Sequence, residues 1–213
     1  KSDNKSFTYL WDNYFLFDHT FAEKHRVGLM AGMSAQWNTN DYLNAQKNVF
    51  MFDNVHEMDN GEEMYAIGGN ETEWALLSYM ARVNYSYEDR YLLTATIRRD
   101  GSSRFAKESR WGNFGSLGAN WVFSNEEFMK KYRWLNQGKL RASWGQVGND
   151  SGSGYYAYYG LYGSWTQNSK PAYVVSQNPA RDLHWETGES WGAAVEGRLR
   201  SEERRVGKEC LRL

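Results

Sequence analysis

The sequence predicts an all-β fold of antiparallel strands, and more narrowly a segment of a transmembrane β-barrel wall. Apolar and polar side chains alternate with a period of two residues in seven separate segments, which is the periodicity of a strand and not of a helix. The connections between these segments alternate between short and long. Aromatic residues make up 16% of the chain, including 10 Trp and 15 Tyr, and such rings collect where an apolar medium meets water.

The seven predicted strands follow one another along the whole chain. In the first, Phe7, Tyr9, Trp11 and Phe15 share one face while Thr8 lies on the other. The sixth is the weakest, because its alternation is only approximate. The predicted strands cover residues 7–21, 27–37, 75–87, 91–98, 116–123, 140–146 and 190–199.

The connections are predicted to differ in length and content. Residues 22–25 and 88–90 form tight turns, and residues 100–110 form a loop of middle length. Residues 38–72 are a long polar loop with a possible short helix at residues 43–48. After the fifth strand, a helix of about three turns is expected, because Ser124 and Glu127 have capping-box spacing and basic residues follow them. Those residues are Lys130, Lys131 and Arg133. Residues 148–181 form a second long loop.

Composition excludes several functional classes. Twenty-five basic and 26 acidic side chains nearly cancel, so no general positive field would attract nucleic acid. No apolar run approaches the 18 residues of a transmembrane helix. No catalytic cluster, P-loop or dinucleotide fingerprint is present, no cofactor is expected, and the scattered His19, His25, His56 and His184 predict no metal site.

Two groups of oxygen-bearing side chains were considered as calcium ligands. They are Asp59, Glu62 and Glu63 in one loop and Asn149, Asp150 and Ser151 in another. Neither group has EF-hand spacing. Solvated loop side chains are the favoured interpretation of both.

Periodicity alone does not say which face of the sheet looks outward. A soluble barrel that only binds a ligand would have the same alternation with the apolar face inside. A small barrel interior has little room for bulky rings from nearly every strand, whereas lipid outside has room, so the membrane barrel is favoured. Five aromatic residues at one end of the strands are predicted to lie at the membrane interface: Tyr85, Tyr87, Tyr91, Trp121 and Phe123.

The candidate ligand surface is an aromatic cluster in the second long loop. Aromatic faces bury the apolar faces of sugars or peptides, while hydroxyl groups bond their polar groups. The alternative is that these rings pack against other parts of the protein or against a partner. The cluster comprises Tyr155, Tyr156, Tyr158, Tyr159, Tyr162 and Trp165.

Several stretches resemble one family in the family's order. They are ARVNYSYEDRYLLTATIRRDGSSRF from Ala81, RWGNFGSLGANWVFSNEEFM from Arg110, LRASWGQVGND from Leu140 and DLHWETGESW from Asp182. These stretches resemble the SusC/RagA family of TonB-linked outer-membrane transporters. The most specific element is DGSSRF, which comprises Asp100, Gly101, Ser102, Ser103, Arg104 and Phe105. Asp100 and Ser102 are expected to bond turn amides, and Gly101 to adopt unusual dihedral angles, so that the element shapes its loop.

The resemblance implies a large plugged barrel of about 22 strands in the outer membrane of a Gram-negative cell. Such a barrel imports oligosaccharides or other large nutrients such as peptides. Its implied partners are a SusD-like surface lipoprotein, the TonB–ExbB–ExbD complex of the inner membrane, and outer-membrane lipid. The sequence contains no signal peptide, TonB box or plug domain, so we expect this part not to transport alone.

The chain is predicted to have two parts. Residues 1–200 are interpreted as a partial TonB-dependent receptor barrel of about seven strands. Residues 201–213, SEERRVGKECLRL, lose the alternation and contain the single cysteine, Cys210. This tail resembles translated adapter sequence and is interpreted as non-native.

Overall fold

The computed structural model describes residues 1–50, 54, 57–129, 131–132, 134–152, 154–199 and 202–206. Its main body is one eight-stranded antiparallel sheet, in which every neighbouring pair of strands is antiparallel. The strands of this sheet are β1 (Ser2–Phe21), β2 (His25–Phe50), β3 (Gly61–Tyr87), β4 (Tyr91–Ser102), β5 (Trp111–Trp121), β6 (Leu135–Asn149), β9 (Glu186–Leu199) and β10 (Glu202–Val206). The predicted all-β antiparallel fold is confirmed.

A separate two-stranded hairpin lies between β6 and β9 in the chain. It comprises β7 (Leu161–Gln167) and β8 (Lys170–Gln177), joined by Asn168 and Ser169. Both turn residues have positive φ, of 50° and 61°, as the tight turn of a two-residue hairpin requires. The predicted long loop at residues 148–181 therefore contains regular structure.

The second correction concerns residues 38–72, predicted to form a long loop with a helix at residues 43–48. Strand β2 instead continues to Phe50 and pairs with β3 from Asn38 opposite Trp74 to Phe50 opposite Gly61, with one bulge at Gln46 and Lys47. Backbone pairing persists here although the apolar alternation has ended. Alternation requires one dry and one wet face, and a hairpin that is wet on both faces lacks it.

The helix predicted after β5 is also wrong within the described residues. Only a single 3-10 turn forms, at Phe123–Asn125, and its N-terminus has no side-chain cap. Successive tight turns follow, with the Met129 amide bonding the Glu126 carbonyl at 3.0 Å. Lys130 and Arg133, which supported the helix prediction, lie outside the described residues. Throughout the described part, no helix combines the length and apolar character needed to cross a bilayer.

The two faces of the sheet differ as the alternation predicted. We call one the aromatic face; it carries the odd-numbered residues of β1–β5 and β9 and the even-numbered residues of β6. The opposite, polar face carries Ser78, Arg82, Thr96 and Arg98. No sealed core forms on the aromatic face, because Val83 and Leu93 are 44% and 51% exposed. The fully buried side chains lie elsewhere, around the DGSSRF element.

The short turns gather at one end of the main sheet. Residues 22–24 and 88–90 lie there, and Ala22, Glu23, Glu88 and Asp89 all have positive φ between 48° and 59°. Strand β2 ends and β3 begins at the opposite end, where β4 and β6 also end and β5 and β9 also begin, because each strand is antiparallel to the next. The chain therefore places its two predicted aromatic groups, the interface belt and the ligand cluster, at opposite ends of the sheet.

Candidate functional site

The predicted interface aromatics form a continuous row at the short-turn end. Tyr87, Tyr91 and Trp121 lie directly opposite one another on β3, β4 and β5. The Tyr87 and Tyr91 rings stack with centroids 6.4 Å apart, and Phe123 packs edge-on to Trp121 at 6.0 Å. Tyr85 lies two pairs further along, on the same face and opposite Leu93.

A carboxylate holds two of these rings. Tyr91 donates its hydroxyl to Glu126 Oε1 at 2.7 Å, and Trp121 donates Nε1 to the same oxygen at 3.1 Å. Arg90 Nη1 lies 3.4 Å from Glu126 Oε2. The hydrogen bond from Tyr91, followed by that from Trp121, lowers the pKa of Glu126 below its ordinary 4.5.

The lowered pKa predicts a loss of stability in acid. Because the folded-state pKa is depressed, the carboxylate stabilises the fold at neutral pH, and this contribution disappears as pH falls below 4.5 through the depressed value. Glu126→Gln should therefore be less stable at pH 7 and should lose less stability between pH 7 and pH 3. Urea unfolding in detergent micelles across this pH range measures both effects, with the exposed Glu62→Gln as control. If the free energy of unfolding of Glu126→Gln changed with pH in the same way as that of the parent, the Glu126 carboxylate would not stabilise the fold as described.

At the other end of the sheet, the DGSSRF element turns its side chains inward. Asp100 accepts two bonds from Arg98 Nε, at 2.7 and 2.8 Å, and Arg98 Nη2 donates to Ser78 Oγ at 3.1 Å. Ser102 is fully buried and donates its hydroxyl to Asp150 Oδ2 at 2.7 Å. Ser103 extends the pairing with β3, since its amide bonds the Ala75 carbonyl at 2.9 Å and its Oγ accepts from the Ala75 amide at 2.8 Å.

The predicted local bonding of this element is partly corrected. Ser102 Oγ does accept a turn amide, that of Arg104, at 3.3 Å, but Asp100 instead binds the Arg98 guanidinium. No described glycine has a positive φ, so the unusual dihedral angles expected of Gly101 are wrong. Gly101 is required for space, because a Cβ atom there would lie 2.8 Å from the Trp111 ring.

Arg104 joins this element to the segment between β6 and β9, residues 150–185, which we call the aromatic loop. Its guanidinium lies between the rings of Trp74 and Tyr155, 5.2 and 4.9 Å from their centroids. Arg104 Nη1 also donates to the Asp150 carbonyl at 3.4 Å and lies 3.8 Å from Asp150 Oδ1. A charge stacked on two rings and paired with a carboxylate is a strong attachment point.

Phe105 supplies the apolar half of the same attachment. It is 2% exposed, and its ring centroid lies 5.5 Å from that of Trp185. Trp185 packs edge-on to Phe114 at 5.4 Å and donates Nε1 to the Arg110 carbonyl at 2.8 Å. We name Ser102, Arg104, Phe105, Asp150 and Trp185 the anchor cluster, since these five residues attach both ends of the aromatic loop to the sheet.

The structure divides the six predicted ligand aromatics into three pairs. Tyr155 and Tyr156 are held by the sheet, Tyr155 by Arg104 and Tyr156 by accepting the Glu73 amide at 3.2 Å. Tyr158 and Tyr159 pack together at 4.1 Å, and burial followed by the hydrogen bond with Tyr159 raises the pKa of Tyr158. Tyr162 and Trp165 lie on the β7–β8 hairpin and are 71% and 61% exposed.

A cavity of about 360 Å³ lies beside the anchor cluster. Its lining includes Phe105, Asp150, His184 and Glu186, so hydrogen-bonding groups surround an apolar floor. Asn149, which also lines it, donates to Glu186 Oε2 at 3.1 Å. Among the described residues, no three His, Cys, Asp or Glu side chains are grouped as a metal ion would require. This arrangement can bind polar groups through hydrogen bonds.

Sequence reasoning missed the partners of the anchor cluster. The sequence presents Asp150 as a candidate calcium ligand and as the end of LRASWGQVGND, and Trp185 as part of DLHWETGESW, but predicts no contact of either residue with DGSSRF. The Ser102–Asp150 bond spans 48 residues of sequence, a separation that no local periodicity reports. The one available signal was that both residues lie within stretches shared with the same family.

Comparison with known proteins assigns the chain to a family. Residues 1–202 match the family described as "TonB dependent receptor-like, beta-barrel". A TonB-dependent receptor of Formosa agariphila is 40% identical over 119 residues, which are 54% of this chain and 11% of that receptor. TonB-dependent receptor SusC of Bacteroides thetaiotaomicron is 37% identical over 132 residues, covering 59% of this chain and 13% of SusC. This chain covers only about a tenth to a fifth of the length of these two receptors and of a second Formosa agariphila receptor.

Solved structures agree on the fold. The chain superimposes on part of the RagAB peptide transporter with a TM-score of 0.84 at 23% identity, covering 93% of this chain and 22% of that one. The same importer in its "closed-closed" state gives a TM-score of 0.85 at 22% identity, with the same coverage. The resemblance to SusC/RagA transporters is thus confirmed, and the chain belongs to the TonB-dependent receptor-like β-barrel family.

Proposed function

We propose that this chain is part of the barrel of an outer-membrane importer that takes up oligosaccharides or peptides. The supporting observation is the aromatic loop, which is anchored at the long-loop end of the sheet and exposes Tyr162 and Trp165 on its β7–β8 hairpin. Rings with adjacent hydrogen-bonding groups suit nutrient fragments that have both apolar and polar faces. Import would proceed by binding and conformational gating, with no bond broken.

The aromatic face would border lipid, and the polar face would border the aqueous passage. Uncharged aromatic and aliphatic side chains occupy the aromatic face of β4 from Tyr91 to Ile97, as a lipid-facing wall requires. The alternative, a soluble barrel that only binds ligand, predicts solubility in aqueous buffer. Extraction of the full-length protein from membranes only by detergent would support the importer, and recovery without detergent would exclude it.

The partners follow from the same proposal. A SusD-like surface lipoprotein would meet the barrel at the long-loop end, where the β7–β8 hairpin is exposed. The TonB–ExbB–ExbD complex would act through N-terminal elements of the full-length protein. Co-purification of a lipoprotein with the tagged full-length protein tests the first partnership, and energy-dependent uptake tests the second.

Replacing Tyr158 and Trp165 with alanine in the full-length protein tests the ligand surface. We expect cargo affinity to fall at least tenfold, because each ring removed contributes on the order of 1 kcal/mol or more. Binding would be measured with a defined oligosaccharide pool and a peptide pool by mass spectrometry of the retained molecules. Tyr9→Ala, on the outward aromatic face of β1, is the matched control. If the parent, the variant with both Tyr158 and Trp165 replaced, and Tyr9→Ala all retain the same amount of cargo, the loop is not part of the binding site.

A further inference from the structure

Arg99 is an unusual residue on the aromatic face of the sheet. It lies in β4 directly opposite Tyr79 of β3 and Asn113 of β5, and it is exposed. Its guanidinium lies 5.2 Å from the Trp111 ring centroid, and the Tyr79 ring stacks on Trp111 at 6.1 Å. Within the described part of the chain, Arg99 forms no ion pair with a carboxylate.

The neighbouring Arg98 shows that this is not a general property of the strand. Arg98 lies on the polar face, bound to both oxygens of Asp100 and to Ser78. Arg99 is instead held against the Trp111 ring, and its guanidinium carries five N–H donors. An exposed, oriented guanidinium without an anion is a binding group for a carboxylate or phosphate.

The position of Arg99 along the strand matches the far border of a membrane. Tyr91 belongs to the interface row at the short-turn end, and Leu93, Ala95 and Ile97 separate it from Arg99 on the same face. Eight residues span about 26 Å along a strand, or about 20 Å along the membrane normal at a tilt of about 40°. An apolar band is about 25 Å tall, so Arg99 lies within about 5 Å of its far border, from where its long side chain can reach the lipid headgroups.

An apolar groove adjoins the Arg99–Trp111 pair. It encloses about 640 Å³ and is lined on the aromatic face by Trp11, Ala35, Trp37, Leu77, Gly101 and Trp111. Ala35, Leu77 and Gly101 of this lining lie opposite one another on β2, β3 and β4. The apolar lining suits a hydrocarbon chain, and the neighbouring Arg99 guanidinium suits the phosphate that such a chain carries in a lipid.

We propose that Arg99, Trp111 and this groove form a site for one phosphate-bearing lipid, with the phosphate on the guanidinium and an acyl chain in the groove. The proposal rests on the membrane placement of the aromatic face given above. The proposed import function does not require this bound lipid. Lipid held in this way would fix the height of the barrel in the membrane.

The test uses the full-length protein in nonionic detergent and counts bound lipids by native mass spectrometry. Dioleoyl phosphatidic acid is the probe, and dioleoylglycerol, which has the same chains without phosphate, is compared with it. The variants are Arg99→Ala and Ala75→Leu; Ala75 also lines the groove, so the larger leucine side chain narrows it. The matched control is Arg82→Ala, an exposed arginine on the polar face whose Nε donates to Thr96 at 3.3 Å.

We expect retained phosphatidic acid to fall at least fivefold in Arg99→Ala and in Ala75→Leu and to be unchanged in Arg82→Ala. Dioleoylglycerol should be retained weakly by all variants, and millimolar inorganic phosphate should not displace the lipid. Full retention by Arg99→Ala, an equal loss in Arg82→Ala, or displacement by inorganic phosphate alone would overturn the proposal. These failures would leave the import function standing, because that function fails instead if the protein needs no detergent.

Discussion

Replacing Arg104 with alanine is expected to release the aromatic loop from the sheet while the sheet itself stays folded. The change removes stacking on Trp74 and Tyr155 and the ion pair with Asp150. The two charged side chains are only 13% and 22% exposed, so removing the Arg104 charge beside Asp150 is costly. We estimate that the free energy holding the loop to the sheet falls by about 2 kcal/mol. This is less than the cost of breaking a fully buried ion pair, because both side chains are partly exposed.

Limited proteolysis of the full-length protein measures this release. A 2 kcal/mol loss raises the detached population by about thirtyfold, and cleavage within residues 150–181 should accelerate by more than tenfold. Arg104→Lys should give an intermediate rate, because an ammonium keeps the charge but loses the planar stacking surface. Arg82→Ala is the control. A cleavage rate in Arg104→Ala equal to that of the parent would show that other contacts hold the loop.

The same variant separates attachment from ligand contact. If the proposed import function holds, Arg104→Ala should weaken cargo binding although Arg104 is covered by Trp74 and Tyr155. Tyr158→Ala should weaken binding without accelerating proteolysis. The comparison distinguishes a residue that positions the loop from one that touches cargo.

The strands that could be predicted from the sequence are those with an apolar environment on one face and a polar environment on the other. Residues 75–87 and 91–98 alternate because one face of each is apolar and the other polar, and both were placed correctly. The outer part of the β2–β3 hairpin was missed because it no longer has this contrast. Its pairing comes from backbone hydrogen bonds that continue after the apolar pattern has stopped.

The remaining errors come from contacts that are distant in sequence. Glu126 fits the first turn of a helix, yet its carboxylate binds Tyr91, 35 residues away, and the described residues there form only a 3-10 turn. The DGSSRF element is specific in sequence, but its attachment to Asp150 and Trp185 depends on the fold that brings two connections together. Local propensity describes neither interaction, because both are decided by tertiary packing.

Replacing Phe105 with alanine is expected to give the largest loss of stability of any single change discussed for this chain. Phe105 is almost fully buried, and its ring packs on Trp185, which in turn packs on Phe114. Removing a buried phenyl ring loses transfer free energy and leaves a cavity, at a cost of about 3–5 kcal/mol. Phe105→Leu should cost less, since it fills most of the space.

The matched control for this prediction is Phe128→Ala, the same substitution at an exposed ring, with an expected cost of about 0.5 kcal/mol or less. Urea unfolding of the full-length protein in micelles, followed by tryptophan fluorescence, gives the free energy of unfolding for each variant. Because Phe105 also anchors the aromatic loop, its loss should accelerate proteolysis within residues 150–181 as Arg104→Ala does. Equal costs for the two phenylalanine variants would mean that the anchor cluster does not contribute to folding, and that DGSSRF acts only by bonding within its own turn.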